Sequence, residues 1–432
     1  MSKLWRGVIV VIAAVSVWVG LAPAATLHAS TTTPALDVNA SAALAVSAKT
    51  GEILYAKNAD KTLPIASMTK MLGIYLVREA IKSGKLHWDD TVSPSASIAK
   101  LSQNSDLSNV PMKTDGKYTI KELYQASLIY SANAAMILLG NAVSGSQTKF
   151  VDAMRAQLKT WGINNATIVN ATGLDNDQVD AADRYPKTTT RDQNQMSAKD
   201  VALIAQHLLN DYPDVLATTK LTTQTFQANT SDATKMDNYN LMLPGLSAAD
   251  KGLAVDGLKT GTTDRAGDCF AGTVEKNGMR IITVVMHANG DGDAKRFVQT
   301  GKLMNWVFAN WKQMTVTTAG QAVRGHARLQ VVHGTQQTVP LVATKTLRLY
   351  VPKAATAADV HYAYAAKLKG QLEAPVQRNA TAGTLTISVP GNQGNLAGKP
   401  TTVTLTTAKQ VKRSNVFKLI FTGVGEWVRS LF

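Results

Sequence analysis

Pro64-Ile65-Ala66-Ser67-Met68-Thr69-Lys70 runs directly into Met71, Leu72, Tyr75, Leu76 and Ile81, apolar residues at helical spacing, and Gly84 is placed to end the run. The pattern predicts a helix over 68–82 with Ser67 at its start, so that Lys70 lies one turn along and on the serine's face. An amine held in partly desolvated surroundings loses its proton more readily, and a neutral lysine can take the proton of an attacking serine.

Around this helix the chain alternates strand-like and helix-like patterns. Segments 44–47 and 52–55 flank Ala48-Lys49-Thr50-Gly51 and read as a β-hairpin. Thr119 and Glu122 form a capping-box pair before an apolar helical segment that reaches about Tyr130. Segments 255–260, 269–275 and 280–287 read as strands, the last two joined by a turn at Asn277-Gly278. Residues 35–313 are thus expected to form an α/β (α+β) domain of helices and a substantially antiparallel sheet. After a helical stretch over 296–311 the composition shifts to Thr, Val and Gly with period-two alternation, and 327–332, 347–351, 384–389 and 403–406 are predicted strands of a small all-β domain over 314–407.

A length of 432 residues favours two domains, and 45% hydrophobic with 17% charged residues marks a folded chain. The net charge of +15 suits a nucleic-acid binder or a protein beside anionic lipids and wall polymers. The N-terminus favours the second. Lys3 and Arg6 precede an apolar run over 7–21, followed by small residues at Ala22, Ala24, Ala25 and Ala29, the layout of a signal peptide over 1–29, with a retained membrane helix as the alternative. The expected location is therefore the outer face of the cytoplasmic membrane or the cell wall, with no nucleic-acid partner. Cys269 stands alone, so export brings no intramolecular disulfide, and it reads as a small buried strand residue.

Three short motifs carry the chemistry, and each is weak alone. SxxK occurs at Ser67, Ser97 and Ser146, SxN at Ser102 and Ser131, and KTG at Lys49 and Lys259. Ser97 follows Pro94 and heads no apolar helix, Ser146 lies in a Gly/Ser turn, and Lys49 occupies the hairpin tip. The ordered set Ser67-Met68-Thr69-Lys70, Ser131-Ala132-Asn133 and Lys259-Thr260-Gly261 remains.

That set, with the flanking Tyr130-Ser131-Ala132-Asn133-Ala134-Ala135 and Val255-Asp256-Gly257-Leu258-Lys259-Thr260-Gly261-Thr262-Thr263, resembles the low-molecular-mass penicillin-binding proteins that are serine D-Ala-D-Ala carboxypeptidases. Gly173-Leu174-Asp175, Ser197-Ala198-Lys199-Asp200 and Ala266-Gly267-Asp268-Cys269 look similar too, and the likeness covers about 42–311. The resemblance implies a β-lactamase/transpeptidase-like fold and an acyl-enzyme mechanism. In it Ser67 attacks the penultimate D-alanine carbonyl, Lys70 takes its proton, and Ser131 relays a proton to the departing D-alanine. Asn133 would hold the peptide amide, Lys259 and Thr260 the terminal carboxylate, and Gly261 would leave room for substrate along the strand. The backbone amides of Ser67 and Thr262 would form the oxyanion hole, and Arg296 would lie near the carboxylate site. The implied partners are stem peptides ending in D-Ala-D-Ala and covalently bound β-lactams. Two departures stand out: Ala134 where the family commonly has Asp, and a longer 175–197 segment.

Other chemistries fare worse. Seven scattered histidines offer no metal-ligand spacing, and no nucleotide-binding loop follows a strand, so neither metal nor other cofactor is expected. A class A β-lactamase would need a glutamate to activate the deacylating water, and no Glu occurs from Ala134 through Gly257. A penicillin-sensing or wall-binding module without turnover is the non-enzymatic alternative. Finally, Val416, Phe417, Ile420, Val424, Trp427, Val428 and Leu431 fall on one side of a helical wheel, with Lys418, Thr422, Glu426 and Arg429 opposite. Residues 408–432 are therefore expected to form an amphipathic helix on a membrane surface.

Overall fold

The computed structural model describes residues 33–181, 183–292, 294–365 and 370–415. The expected signal peptide over 1–29 and the helical wheel over 416–432 lie outside the described residues.

Five antiparallel strands make the central sheet, in the order Ile53–Lys57, Ala40–Ser47, Met279–Ala288, Gly267–Lys276, Val255–Thr263. Alternate residues of its inner strands enter two different cores. Leu44, Val46, Ile282, Val284 and Met286 face a helical layer. Ala43, Ala45, Ile281 and Val285 face the helix Lys295–Asn310 through Phe297, Leu303, Met304 and Val307. Because both faces are covered, the strands read as continuous apolar runs even though the sheet is antiparallel. The helical layer holds Lys70–Lys82, Ile120–Ile129, Asn133–Ser144 and Ala198–Asp211, so the sheet is sandwiched between helices. Thr119 and Glu122 do form a reciprocal capping box. The helix expected over 68–82 opens instead with a 3-10 turn, Ala66–Thr69, before the α-helix proper begins at Lys70.

A second unit is nearly all β. Its six-stranded sheet runs His361–Tyr364, Thr381–Ser388, Thr402–Thr407, Thr338–Ala343, Arg328–Val332, Gln371–Glu373, beside the separate pair Trp311–Thr317 and Leu347–Pro352. Thr338–Ala343 escapes sequence reading because Pro340 interrupts it. The boundary expected at residue 313 falls inside the strand Trp311–Thr317, which pairs with Leu347–Pro352 while Trp311 also packs in the core beneath the helix Lys295–Asn310. The helix expected from 408 needs correction as well. Val411 pairs with Val376 and Arg413 with Gly334, so 411–413 bridges onto the β unit and 408–415 holds no helix, and buried Val411 belongs to the β core. The unit docks on the sheet edge at the hairpin. The Ile53 N–H donates to the Gly394 carbonyl at 3.0 Å, and the Leu396 N–H donates to the Gly51 carbonyl at 3.0 Å. An edge strand is thereby covered.

Candidate active site

The 3-10 turn decides how Ser67 is presented. The N-cap position belongs to Ile65, so Ser67 lies inside the turn rather than at its cap. Three residues per turn eclipse positions i and i+3. Lys70 Nζ accordingly lies 2.7 Å from Ser67 Oγ. Two further oxygens surround the amine, Asn133 Oδ1 at 2.8 Å and the Thr172 carbonyl at 3.0 Å. Lys70 is fully buried, and that burial, with the nearby charge of Lys259 adding to it, holds its pKa well below the usual lysine range. A neutral amine has two hydrogens and one lone pair. Here the hydrogens suit Asn133 Oδ1 and the Thr172 carbonyl, which leaves the lone pair for the Ser67 proton.

The Thr172 carbonyl was not legible as a site group, although Asn170-Ala171-Thr172-Gly173 carries a turn signature. Asn170 Oδ1 accepts from the Thr172 and Gly173 N–H groups at 3.1 and 2.7 Å. Asn194 Nδ2 ties the loop to the nucleophile turn by donating to the Asn170 carbonyl and to Thr69 Oγ1. Gly173 has φ +82°, and a Cβ there would stand 1.9 Å from the Ala66 carbonyl oxygen. Only glycine lets the two loops meet.

Ser131 sits between two helices in left-handed backbone geometry, φ +59°, strain of a kind that collects at functional sites. Asn133 starts the following helix, its Nδ2 donating to the Ser108 carbonyl at 2.9 Å. At the departure Ala134, the backbone N–H donates to Asn109 Oδ1 at 3.0 Å, so Asn109 tethers the start of this helix.

Across the cleft runs the edge strand Val255–Thr263. Lys259 is buried, its Nζ donating to the Thr260 carbonyl at 3.1 Å. Burial, and secondarily the Arg296 charge, lowers its pKa to about 7. A pKa so placed makes the charge on Lys259 sensitive to its surroundings near neutral pH. Gly261 differs from expectation. A Cβ there would meet the Ile65 carbonyl at 2.8 Å and the Ser67 and Met68 nitrogens at 3.2 Å, so the space it leaves is filled by the nucleophile turn. Arg296, expected near a substrate carboxylate, is buried and bonded to protein groups. Its Nη1 donates to the Gly261 and Cys269 carbonyls at 3.0 and 3.3 Å, and its Nη2 to Asp268 Oδ1.

A cleft of about 360 Å³ brings Ser67, Ser131, Thr260, Gly261, Thr262 and Arg296 together, and Ser108, Tyr239, Leu241 and Phe297 complete its wall. Lys70, Asn133 and Lys259 stand behind that wall, bonded to it or next to it in sequence. Tyr239 stacks on Tyr130, ring centres 5.2 Å apart, a contact between loops that no sequence period predicts. The arrangement suits acyl transfer: a hydroxyl with a buried amine of lowered pKa behind it, a second hydroxyl across the cleft, and basic groups at one end.

Comparison with known proteins agrees. Residues 28–290 match the D-alanyl-D-alanine carboxypeptidase family, and residues 311–413 match the C-terminal domain of penicillin-binding protein 5. D-alanyl-D-alanine carboxypeptidase DacF of Bacillus subtilis is 27% identical over 400 residues, 92% of each chain. D-alanyl-D-alanine carboxypeptidase DacA of Haemophilus influenzae is 30% identical over 345 residues, 79% of each chain. Among solved structures, a peptidoglycan synthesis regulatory factor (PBP3) from Streptococcus pneumoniae superposes with a TM-score of 0.74 at 34% identity, covering 87% of this chain and 100% of that one.

Proposed function

The chain belongs to the D-alanyl-D-alanine carboxypeptidase family, and from that premise we propose that it removes the terminal D-alanine of peptidoglycan stem peptides through an acyl-Ser67 intermediate. Ser67 Oγ attacks the carbonyl carbon of the penultimate D-alanine while its proton passes to Lys70 Nζ. The oxyanion is held by the N–H groups of Ser67 and Thr262. As the C–N bond breaks, the proton held by Lys70 is returned through the Ser131 hydroxyl to the leaving nitrogen, D-alanine departs, and Lys70 is a free base again. Water then attacks the acyl ester as Lys70 takes its proton, and Lys70 returns that proton to Ser67 Oγ as the acyl C–O bond breaks, restoring the serine hydroxyl and the free amine. Asn133 holds the substrate amide, and Lys259 with Thr260 holds the free carboxylate. An arriving carboxylate raises the Lys259 pKa, so substrate binding itself draws the proton onto that amine.

The observation that carries this reading is the buried Lys70 amine 2.7 Å from Ser67 Oγ. Penicillin presents an analogous amide and should acylate Ser67. With no Glu over residues 134–257 to activate the deacylating water, that adduct should be long-lived. The deciding experiment measures D-alanine released from a pentapeptide ending in D-Ala-D-Ala, with penicillin labelling in parallel. Labelling without release would favour a sensing module, and rapid loss of the label a β-lactamase.

For location, the reading is export and attachment to the outer membrane face through 416–432. Among the described residues no helix is long and apolar enough to cross a membrane. The large aromatics Phe417, Phe421, Trp427 and Phe432 with basic Lys418 and Arg429 support an interfacial helix. Truncation after Asn415, which spares buried Val411, should release active protein from membranes; a truncated protein that still pellets with vesicles would refute it.

A further inference from the structure

Arg296 stands where local preference would not put it. It occupies the first turn of Lys295–Asn310 next to another cation, with no acid in that turn and no side-chain cap. Cations there oppose the helix dipole. The compensation comes from across the sheet, where Asp268 Oδ1 accepts from Arg296 Nη2 and Lys295 Nζ lies 3.7 Å from Asp268 Oδ2. Both members of the Arg296–Asp268 pair are under a tenth exposed. A pair this buried is seldom kept for stability alone.

What the pair grips is specific. Asp268 faces Thr262 and Cys269 faces Gly261 across the ladder. Arg296 Nη1 bridges both strands at that register through the Gly261 and Cys269 carbonyls. The Gly261 carbonyl and the Thr262 N–H belong to one planar trans peptide unit, so fixing the oxygen fixes the opposite direction of the N–H. A cation on the oxygen also strengthens that N–H as a donor.

We infer that Arg296 and Asp268 are positioning residues, a buried strut that aims the Gly261–Thr262 peptide so that the Thr262 N–H meets the oxyanion. This rests on the acyl-Ser67 reading above and replaces a substrate-carboxylate role for Arg296 with one exerted through the backbone.

The test compares hydrolysis of a D-Ala-D-Ala peptide acid and its C-terminal amide in the full chain. A lost oxyanion donor costs about 10²–10³-fold in kcat whatever the substrate's terminus. Asp268→Ala should therefore slow acid and amide alike, leaving their ratio of kcat/KM unchanged. Asp268→Asn, whose side-chain oxygen still accepts from Arg296, should recover most of the rate. A fall in the acid rate alone would make Arg296 a carboxylate ligand and overturn the strut. So would Asp268→Ala that merely melts earlier with kcat intact. Should Asp268→Ala fail to fold, Asp268→Asn with wild-type kcat supports the strut, and a loss in KM only refutes it. Failure of the parent reading looks different: wild-type protein would release D-alanine while Ser67 stays unlabelled by penicillin.

Discussion

Ser67-Met68-Thr69-Lys70 and Ser146-Gln147-Thr148-Lys149 carry the same pattern in one chain and reach opposite ends. Each serine stands at the mouth of a helix. Ser146 is the N-cap of Gln147–Thr160, and its hydroxyl accepts from the Lys149 N–H at 3.2 Å. The Lys149 side chain points into solvent. At the other site the helix opens through a 3-10 turn with no side-chain cap, and the lysine amine is buried against the hydroxyl. A serine whose oxygen is engaged in capping has no geometry left for attack, and an exposed Lys149 is not held against that oxygen. Chemistry thus depends on denying Ser67 the structural role that Ser146 fills.

The largest expected effect tests that contrast directly. Ser67→Ala should abolish D-alanine release and penicillin labelling, a loss on the order of 10⁶ in kcat if the nucleophile is gone. Surviving label would move the nucleophile elsewhere. Next, Lys70→Met should cut the rate of Ser67 acylation by roughly 10³, the scale of a general base, whereas Lys149→Met should change nothing. Equal effects would dissolve the comparison.

Gly173→Ala probes what holds the first lysine in place. Its Cβ would overlap the Ala66 carbonyl at 1.9 Å and push the Thr172 carbonyl off Lys70. Misplacement of this order costs about 10²-fold. Acylation kinetics beside near-UV circular dichroism separate a displaced loop from global unfolding, and full activity in a folded protein would remove Thr172 from the site.

Much of this was legible in the sequence, and the remainder has identifiable causes. The central strands and the helix after Ser67 announce themselves by apolar runs and helical spacing, because burial on both sheet faces leaves strong periodic signals. Ser67, Lys70, Ser131 and Asn133 come together as motif order predicts. Thr172, Asn194 and Asn109 contribute through backbone carbonyls and amide side chains that no periodicity flags. Gly261 misled because a missing Cβ signals close approach without naming what approaches. Arg296 lines the cleft, but its pairing with Asp268, 28 residues away in sequence, depends on register across the sheet and no local pattern flags it.

The second buried lysine extends the contrast to a milder effect. Lys259 loses its proton near pH 7 in the free protein, with burial the main cause. Below that pH it is charged and suited to a carboxylate; above it the charge is lost. The kcat/KM for a peptide acid should fall relative to its amide as pH rises through about 7, by roughly tenfold for one charge-assisted contact. Lys259→Ala should flatten the ratio across pH. A ratio that stays flat in the parent protein would leave Lys259 a structural role.

The smallest effect belongs to Ser146 itself. If its hydroxyl serves only to cap Gln147–Thr160, Ser146→Ala removes one side-chain hydrogen bond at a helix mouth and nothing from the cleft. Losing a serine N-cap costs about 1 kcal/mol. In a chain of this size that lowers Tm by about 1–2 °C, readable by calorimetry. D-alanine release and penicillin labelling should stay at wild-type values. Ser146→Asp supplies the sharper half of the test, because a carboxylate caps as well as a hydroxyl and favours the helix N-terminus. It should restore the lost stability although it cannot act as a serine nucleophile. Restored Tm with unchanged activity would fix Ser146 as a cap; a drop in labelling with either variant would show that the second tetrad reaches the chemistry after all.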